Sequence, residues 1–417
     1  MTLFRPDDMV GSVWHMKVLV INHDHPQFQR WFYSTLSDVD SKSYDELIAL
    51  RHASLFGLAG FYSSNLRSLG HEAWDVRMND EILQKAWARD HDTAVAGETT
   101  VGRGSRTFVE RFRYLGAHPA ARRFKPILRP IVRRFSGDKT MYGILKAQID
   151  YYRPDVILNQ AVDHVADDFL ASVRQSVRLV VGQIAAPLPQ QQTYNGYDLM
   201  ISSLPNYVDD FRRQGLRSEL SRLAFEPSVI DILGAGSPKY GATFVGSFTS
   251  VHRDRTDLLE FLCKAEAVDV WGENFQRIPR GSAILPRHHG KAWGIEMFRI
   301  LRDSRIAVNH HIGIAGEYAN NMRLFEATGV GAMLLTDEKV NLGEMFEVDR
   351  EVVTYRTHEE CLEKIRYYLS HDRERQAIAE AGQKRTLSDH TYRNRLAEFV
   401  ELAGSNLRAP VLIGAGR

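Results

Sequence analysis

The sequence predicts an α/β chain of two domains, each a parallel sheet layered with helices, facing one another across a cleft. Three observations predict it. Short apolar runs recur along the chain, each closed by turn residues and followed by helical text. They fall into two series, separated by a stretch rich in Pro, Gly and Ser at 226–241 (EPSVIDILGAGSPKYG). The length, 417 residues, allows two domains of ordinary size, each with its own core. Apolar residues at 44% and charged residues at 25% exclude disordered and collagen-like classes. A formal net charge of +1 gives no case for a nucleic-acid partner.

Met16–Asn22 (MKVLVIN) reads as a buried first strand. A helical stretch follows over 43–70 and ends at Gly70, and His71–Val76 forms the second strand, a βαβ order. Later strands are Asp155–Asn159, Val177–Gly182 and Asp198–Ser202. Together they make a Rossmann-like N-terminal domain over 1–233. The stretch 226–241 reads as the interdomain linker. The second series runs through Ala242–Gly246, Val268–Gly272, Arg305–Asn309, Ala332–Thr336 and Val352–Tyr355. It makes a second Rossmann-like domain over 240–395, followed by a C-terminal helix and tail over 396–417. Ligands of such sheets sit beyond the carboxyl ends of the strands.

The two cysteines, Cys263 and Cys361, lie in amphipathic helical patterns and read as small buried hydrophobes, which suits a reducing, cytoplasmic setting. The first fifteen residues include Asp7 and Asp8 and hold no apolar core for export. No run reaches the about 18 apolar residues of a membrane span.

The most informative stretch is Asn320–Asp337 (NNMRLFEATGVGAMLLTD). A short helix starts near Asn320 or Asn321, good capping residues, and Gly329 and Gly331 close it. A buried strand follows. A helix start offers free N–H groups and a positive dipole end to a diphosphate. Arg323 adds a cation, and Glu326, at i+3 on the same face, can accept both hydroxyls of a ribose. The same pattern also describes an ordinary helix with a surface Arg–Glu pair.

This stretch resembles the donor-binding segment of GT-B glycosyltransferases of the group-1, or family-4-like, type. Within that type it is most similar to the branch named after the CgeB spore-maturation proteins, on the text from Asn321 to Asp337. The resemblance extends to Phe244–Ser247, to Trp293–Arg299 with Ser304–Asn309, and to His390–Tyr392, roughly 240–400 in all. It implies that Glu326 grips the ribose of a nucleotide-sugar donor, that Gly246, Ser247, Arg253 and Arg255 lie near the diphosphate, and that configuration is retained. The family's first glutamate falls at Tyr318. Either the neighbouring Glu317 takes its part, or Asn309 or Asn320 contacts the sugar.

Other candidates stand at strand ends. His23-Asp24-His25 follows the first strand and could hold or deprotonate an acceptor hydroxyl, or simply cap the next helix. Asp163-His164 follows the strand DVILN and reads equally as a helix cap or a cleft pair. Spacing supplies no third metal ligand, so no metal is expected. His310 reads as a strand-end residue lining the cleft, and His311, His288 and His289 as surface residues. Residues 103–139 hold eleven Arg or Lys against two acids, Glu110 and Asp138, with aromatic residues between them. This basic insert near 100–140 could touch an anionic membrane.

The expected function is metal-independent transfer of a sugar from a UDP-, GDP- or dTDP-linked donor to a glycan, lipid-linked or small-molecule acceptor. No cofactor is expected, and the protein would work in the cytoplasm or at the inner face of its membrane. A nucleotide-sugar epimerase of the same fold and a non-catalytic sugar- or membrane-binding protein are the rival readings.

Overall fold

The structure, a computed structural model, describes residues 15–93, 139–188, 193–248 and 253–407. The basic insert therefore lies, up to residue 138, outside the described residues. The N-terminal strands are β1 (Lys17–Asn22), β2 (Glu72–Arg77), β3 (Val156–Asn159), β4 (Leu179–Gln183), β5 (Leu199–Ser202) and β6 (Ser218–Leu220). They form one sheet in the order β2-β1-β3-β4-β5-β6, and every pairing is parallel. A parallel sheet must be covered on both faces, and the β1 side chains alternate accordingly. Val18 and Val20 enter one core, while Leu19 and Ile21 enter the other. The cover comes from α1 (Pro26–Ser34), α2 (Tyr44–Ala53), α3 (Phe61–Ser68), α4 (Glu81–Asp90), α5 (Lys139–Tyr152), α6 (Asp167–Val173) and α7 (Pro205–Arg213).

Three local expectations change. The helical stretch 43–70 is two helices, because Leu55 and Ala59 take positive φ of 54° and 39° between them. Both side chains are buried, so packing holds a backbone that propensity disfavours. The short edge strand β6 carries no apolar run and was invisible to periodicity. The linker stretch contains a short helix, α8 (Ser228–Leu233), anchored by buried Val229.

The second sheet holds β7 (Tyr240–Val245), β8 (Asp269–Trp271), β9 (Ser304–Asn309), β10 (Met333–Asp337) and β11 (Val353–Tyr355). Its order is β11-β10-β9-β7-β8, again all parallel. Around it lie α9 (Arg253–Lys264), α10 (Ile284–Arg287), α11 (Ile295–Arg302), α12 (Met322–Gly329), α13 (His358–Ser370), α14 (Asp372–Asp389) and α15 (Tyr392–Asn406). Cys263 and Cys361 are buried and free. Among the described residues no helix is long and apolar enough to cross a membrane.

Two seams join the domains. At the first, α15 crosses back onto α3: Phe225 N donates to His390 O (2.8 Å) and Tyr392 N to Phe225 O (3.0 Å). At the second, the Trp293 ring meets Phe28 and Phe56 edge-on, and Ile295 N donates to Ser54 O (3.0 Å). Gly294 sits at φ +49°, and a Cβ there would overlap the Ser54 carbonyl, so this seam requires glycine. The second seam brings the carboxyl ends of both sheets together. His25, just beyond β1, lies 3.9 Å from Glu273, just beyond β8. The Gln27 amide nitrogen reaches the same carboxylate at 2.6 Å in the orientation that satisfies both groups.

Candidate active site at the strand ends

On the C-terminal side, Asn321 caps α12, its side chain accepting from Arg323 N (2.7 Å), as an asparagine at a helix start should. Asn321 also donates to Asn309 Oδ1 (2.9 Å), which ties the helix start to the end of β9. Asn309 is itself fixed by Thr336 (2.9 Å), and its carbonyl accepts from Tyr355 (2.8 Å). His310 joins the same Tyr355 hydroxyl at 3.0 Å.

Arg323 folds back over the helix. It donates to Glu326 Oε2 (2.7 Å) and to Val245 O (3.1 Å), the last carbonyl of β7. Glu326 is 7% exposed, and burial raises its carboxyl above the ordinary glutamate range, with Arg323 opposing. Beyond β7 the chain turns through Gly246 and Ser247. Arg255, 8% exposed, donates to Ser247 O and lies over the Phe244 ring (5.2 Å). Its Nε has no partner, and among the described residues no carboxylate pairs with it. Burial and the Arg323 charge lower its guanidinium to about 10, still charged at neutral pH. A buried cation without an anion is costly. Here it sits at a strand end, beside a second arginine and a helix start. Gly272 lies close by, and a Cβ on it would overlap Gly246 O. Arg253 opens α9, and its side chain lies outside the description.

Glu317 and Asn320 do not join this network. Glu317 is exposed, and its carbonyl accepts from Val340 N (3.0 Å). Half-buried Asn320 lines a small recess with Arg222 and Asn341. His311, expected at the surface, is buried: its Nδ1 lies 2.6 Å from Asp337 Oδ1, at the end of β10. Burial would raise the Asp337 carboxyl, but this contact outweighs it and holds the group well below the usual range. His288 is also partly buried, against Gly272 O (2.9 Å), whereas His289 is exposed beside Asp269.

On the N-terminal side the fold separates the His-Asp-His run. Asp24 points inward, 2% exposed, and both its oxygens are held by Arg51. Arg51 in turn lies over the Phe28 ring (4.6 Å). Burial would raise the Asp24 carboxyl, but the Arg51 hydrogen bonds, with the Arg77 and Arg51 charges, hold it low. It is therefore a structural ion pair and not an acceptor contact. His25 caps α1 through Gln27 N (3.4 Å).

His23 turns the other way and stacks on His164 at 4.2 Å, with 23° between the planes. Hydrogen bonds from Asn22 to Gln160 (2.7 Å) and from His23 N to Asn22 (2.8 Å) align the loops after β1 and β3. His164 Nδ1 lies 2.7 Å from Asp163 Oδ1. Asp163 does not cap α6, whose N-cap is Ala166. Burial and the neighbouring His164 lower the His23 imidazole, keeping it neutral. The ligand atoms of His23, Asp163 and His164 lie within 4.8 Å of one another, a set that spacing could not reveal. Stacked rings send their lone pairs alongside one another, so a shared cation would require the rings to turn.

Residues 253–401 match a protein-family model described as glycosyl transferase-like. No curated protein matches the sequence. Among solved structures, the Anabaena protein HepE in complex with UDP-glucose aligns over 94% of this chain and 100% of its own, with TM-score 0.54 and 11% identity. A glycosyltransferase from Rickettsia africae aligns over 94% and 98%, with TM-score 0.52 and 11% identity. Sucrose-phosphate synthase from Thermosynechococcus elongatus aligns over 94% and 99%, with TM-score 0.52 and 10% identity. The two parallel sheets are thus those of the GT-B fold, and the glycosyl transferase-like match covers residues 253–401.

Proposed function

We propose that this chain is a glycosyltransferase that moves a sugar from a nucleotide donor, held on the C-terminal domain, to a glycan, lipid-linked or small-molecule acceptor at the N-terminal rim. One observation carries the reading. Arg255 is buried, with no carboxylate paired to it among the described residues, beside Arg323 and the start of α12, at the carboxyl end of β7. Two guanidinium groups and a helix start suit a diphosphate. Glu326 suits the ribose hydroxyls. Because HepE is described with UDP-glucose, UDP-linked donors come first among those to test.

Transfer breaks the bond between the sugar C1 and the diphosphate oxygen and forms one from C1 to the acceptor oxygen. Charge grows on the leaving diphosphate, and Arg255, Arg323 and the α12 dipole offset it without a metal. At the acceptor, Asp163 takes a hydrogen bond from His164 Nδ1. That leaves Nε2 to accept from the incoming hydroxyl. The stacked His23 fixes the ring. We infer retention of configuration, a CgeB-like affiliation, a cytoplasmic setting and optional contact with an anionic membrane from the sequence resemblance and the basic insert.

The test is a thermal-shift screen against UDP-, GDP- and dTDP-sugars, followed by product analysis. A donor at a hundred times its dissociation constant adds about 2.7 kcal/mol of stability. Absence of any shift, or a donor sugar altered at a ring carbon with no acceptor present, overturns the transferase reading. The second result points to an epimerase.

A further inference from the structure

The amino end of the N-terminal sheet, away from the cleft, holds an open cavity of about 470 Å³. That lies within the roughly 300–1,000 Å³ of small-molecule sites. Lys17 opens β1, while Glu72 and Trp74 lie on β2, the sheet edge; Asp45 comes from α2, His91 caps the end of α4, and Tyr151 and Tyr152 end α5. Six residues of extended chain separate Lys17 from His23, so the cavity is roughly 20 Å from the acceptor rim at about 3.3 Å per residue.

Its walls are ordered. Trp74 and Tyr152 stack at 4.7 Å. The Tyr152 hydroxyl accepts from Trp87 Nε1 (3.0 Å), which locks the pair. Tyr151 stands edge-on to Tyr152 (5.2 Å) and His91 (4.7 Å), yet it is 60% exposed. It is a solvent-facing apolar plate held by its neighbours. Around it stand two carboxylates, Asp45 and Glu72, and the Lys17 ammonium, 3.5 Å from Glu72. Aromatic plates cover the C–H face of a pyranose, and carboxylates accept its paired hydroxyls. A quaternary ammonium would also suit rings and acids. However, Lys17 already stands among these acids, and two of the four rings, Trp74 and Tyr152, stack on each other instead of forming a box.

We propose that this cavity is a second, non-catalytic saccharide site that takes a segment of a neutral oligosaccharide. The inference is independent of the reading of the cleft. Binding is measured by calorimetry and saturation-transfer NMR on the full chain, with cellohexaose, maltohexaose, laminarihexaose and chitohexaose as probes. At least one is expected to bind, with affinity about tenfold lower, or about 1.4 kcal/mol, in Tyr151→Ala and in Glu72→Gln. Both positions are exposed enough to change without unfolding the chain. Glu326→Gln, in the cleft, should leave this binding unchanged. The proposal is overturned if none of the four binds, if binding survives Tyr151→Ala, if Glu326→Gln abolishes it, or if tetramethylammonium binds in their place.

Discussion

The two rims of the cleft are built alike, from loops at the carboxyl ends of parallel strands, but they treat charge differently. The N-terminal rim surrounds its buried charges with opposite ones: Asp24 is paired with Arg51, and buried Arg77 lies in the field of Asp24 and Asp75. The C-terminal rim does not. Glu326 offsets Arg323, and among the described residues no carboxylate pairs with Arg255. We infer that Arg255, with Arg323 rather than a carboxylate beside it among the described residues, is where an anion binds.

The two buried carboxylates, Asp24 and Glu326, should fail in opposite ways when removed. Asp24→Ala strands Arg51 and should cost about 3–5 kcal/mol of stability, read by chemical denaturation. Donor affinity of the molecules that remain folded should be unchanged. Glu326→Ala removes the group proposed to accept two ribose hydroxyls, at about 1.5–3 kcal/mol per bond. The specificity constant kcat/KM should fall about 10²–10⁴-fold. If Asp24→Ala selectively abolishes donor binding, the division of roles is wrong.

Acidification separates the rims in a second way. His52, beneath the N-terminal rim, is lowered from 6.5 to about 4, chiefly by burial. Above pH 6.5 it is neutral in both the folded and unfolded chain and contributes nothing. Between 6.5 and about 4 only the unfolded chain takes up the proton, so stability falls with falling pH, by about 3 kcal/mol in full. His52→Gln should flatten that slope in a pH series of unfolding curves. The raised Glu326 acts instead on the ligand. It protonates at a higher pH than a surface glutamate, so donor KM should climb early on the acid side, and Glu326→Gln should lose that limb.

A smaller effect concerns the seam between the rims. Gly294→Ala places a Cβ against the Ser54 carbonyl at a positive φ. It should lower stability by about 1–3 kcal/mol and reduce turnover with little change in equilibrium donor affinity. Intact stability with unchanged turnover would show that the seam does not hold the rims in register.

Much of this was legible in the sequence, for physical reasons that also mark where legibility ends. Parallel strands buried on both faces announce themselves as apolar runs, so all but the short β6 were found. The α12 cap and the Arg323–Glu326 pair are local features, readable from helical spacing. What escaped was non-local. Asp24 looks like a site residue until Arg51 folds onto it. His311 looks exposed until Asp337 arrives from the next strand. His23 and His164 share no spacing at all, and only the adjacency of β1 and β3 stacks their rings. Glu317, a candidate by proximity to Tyr318, lies exposed and outside the network that holds Asn309 and Asn321.

We infer that Arg255, which pairs with no carboxylate among the described residues, binds the donor diphosphate. Calorimetric titration of Arg255→Ala against the native protein, with UDP and with uridine, tests it most directly. The account predicts that UDP affinity falls about 10–10²-fold, the value of one or two charged hydrogen bonds, while uridine binding is unaffected. Equal losses for both ligands, or no loss for UDP, would contradict it.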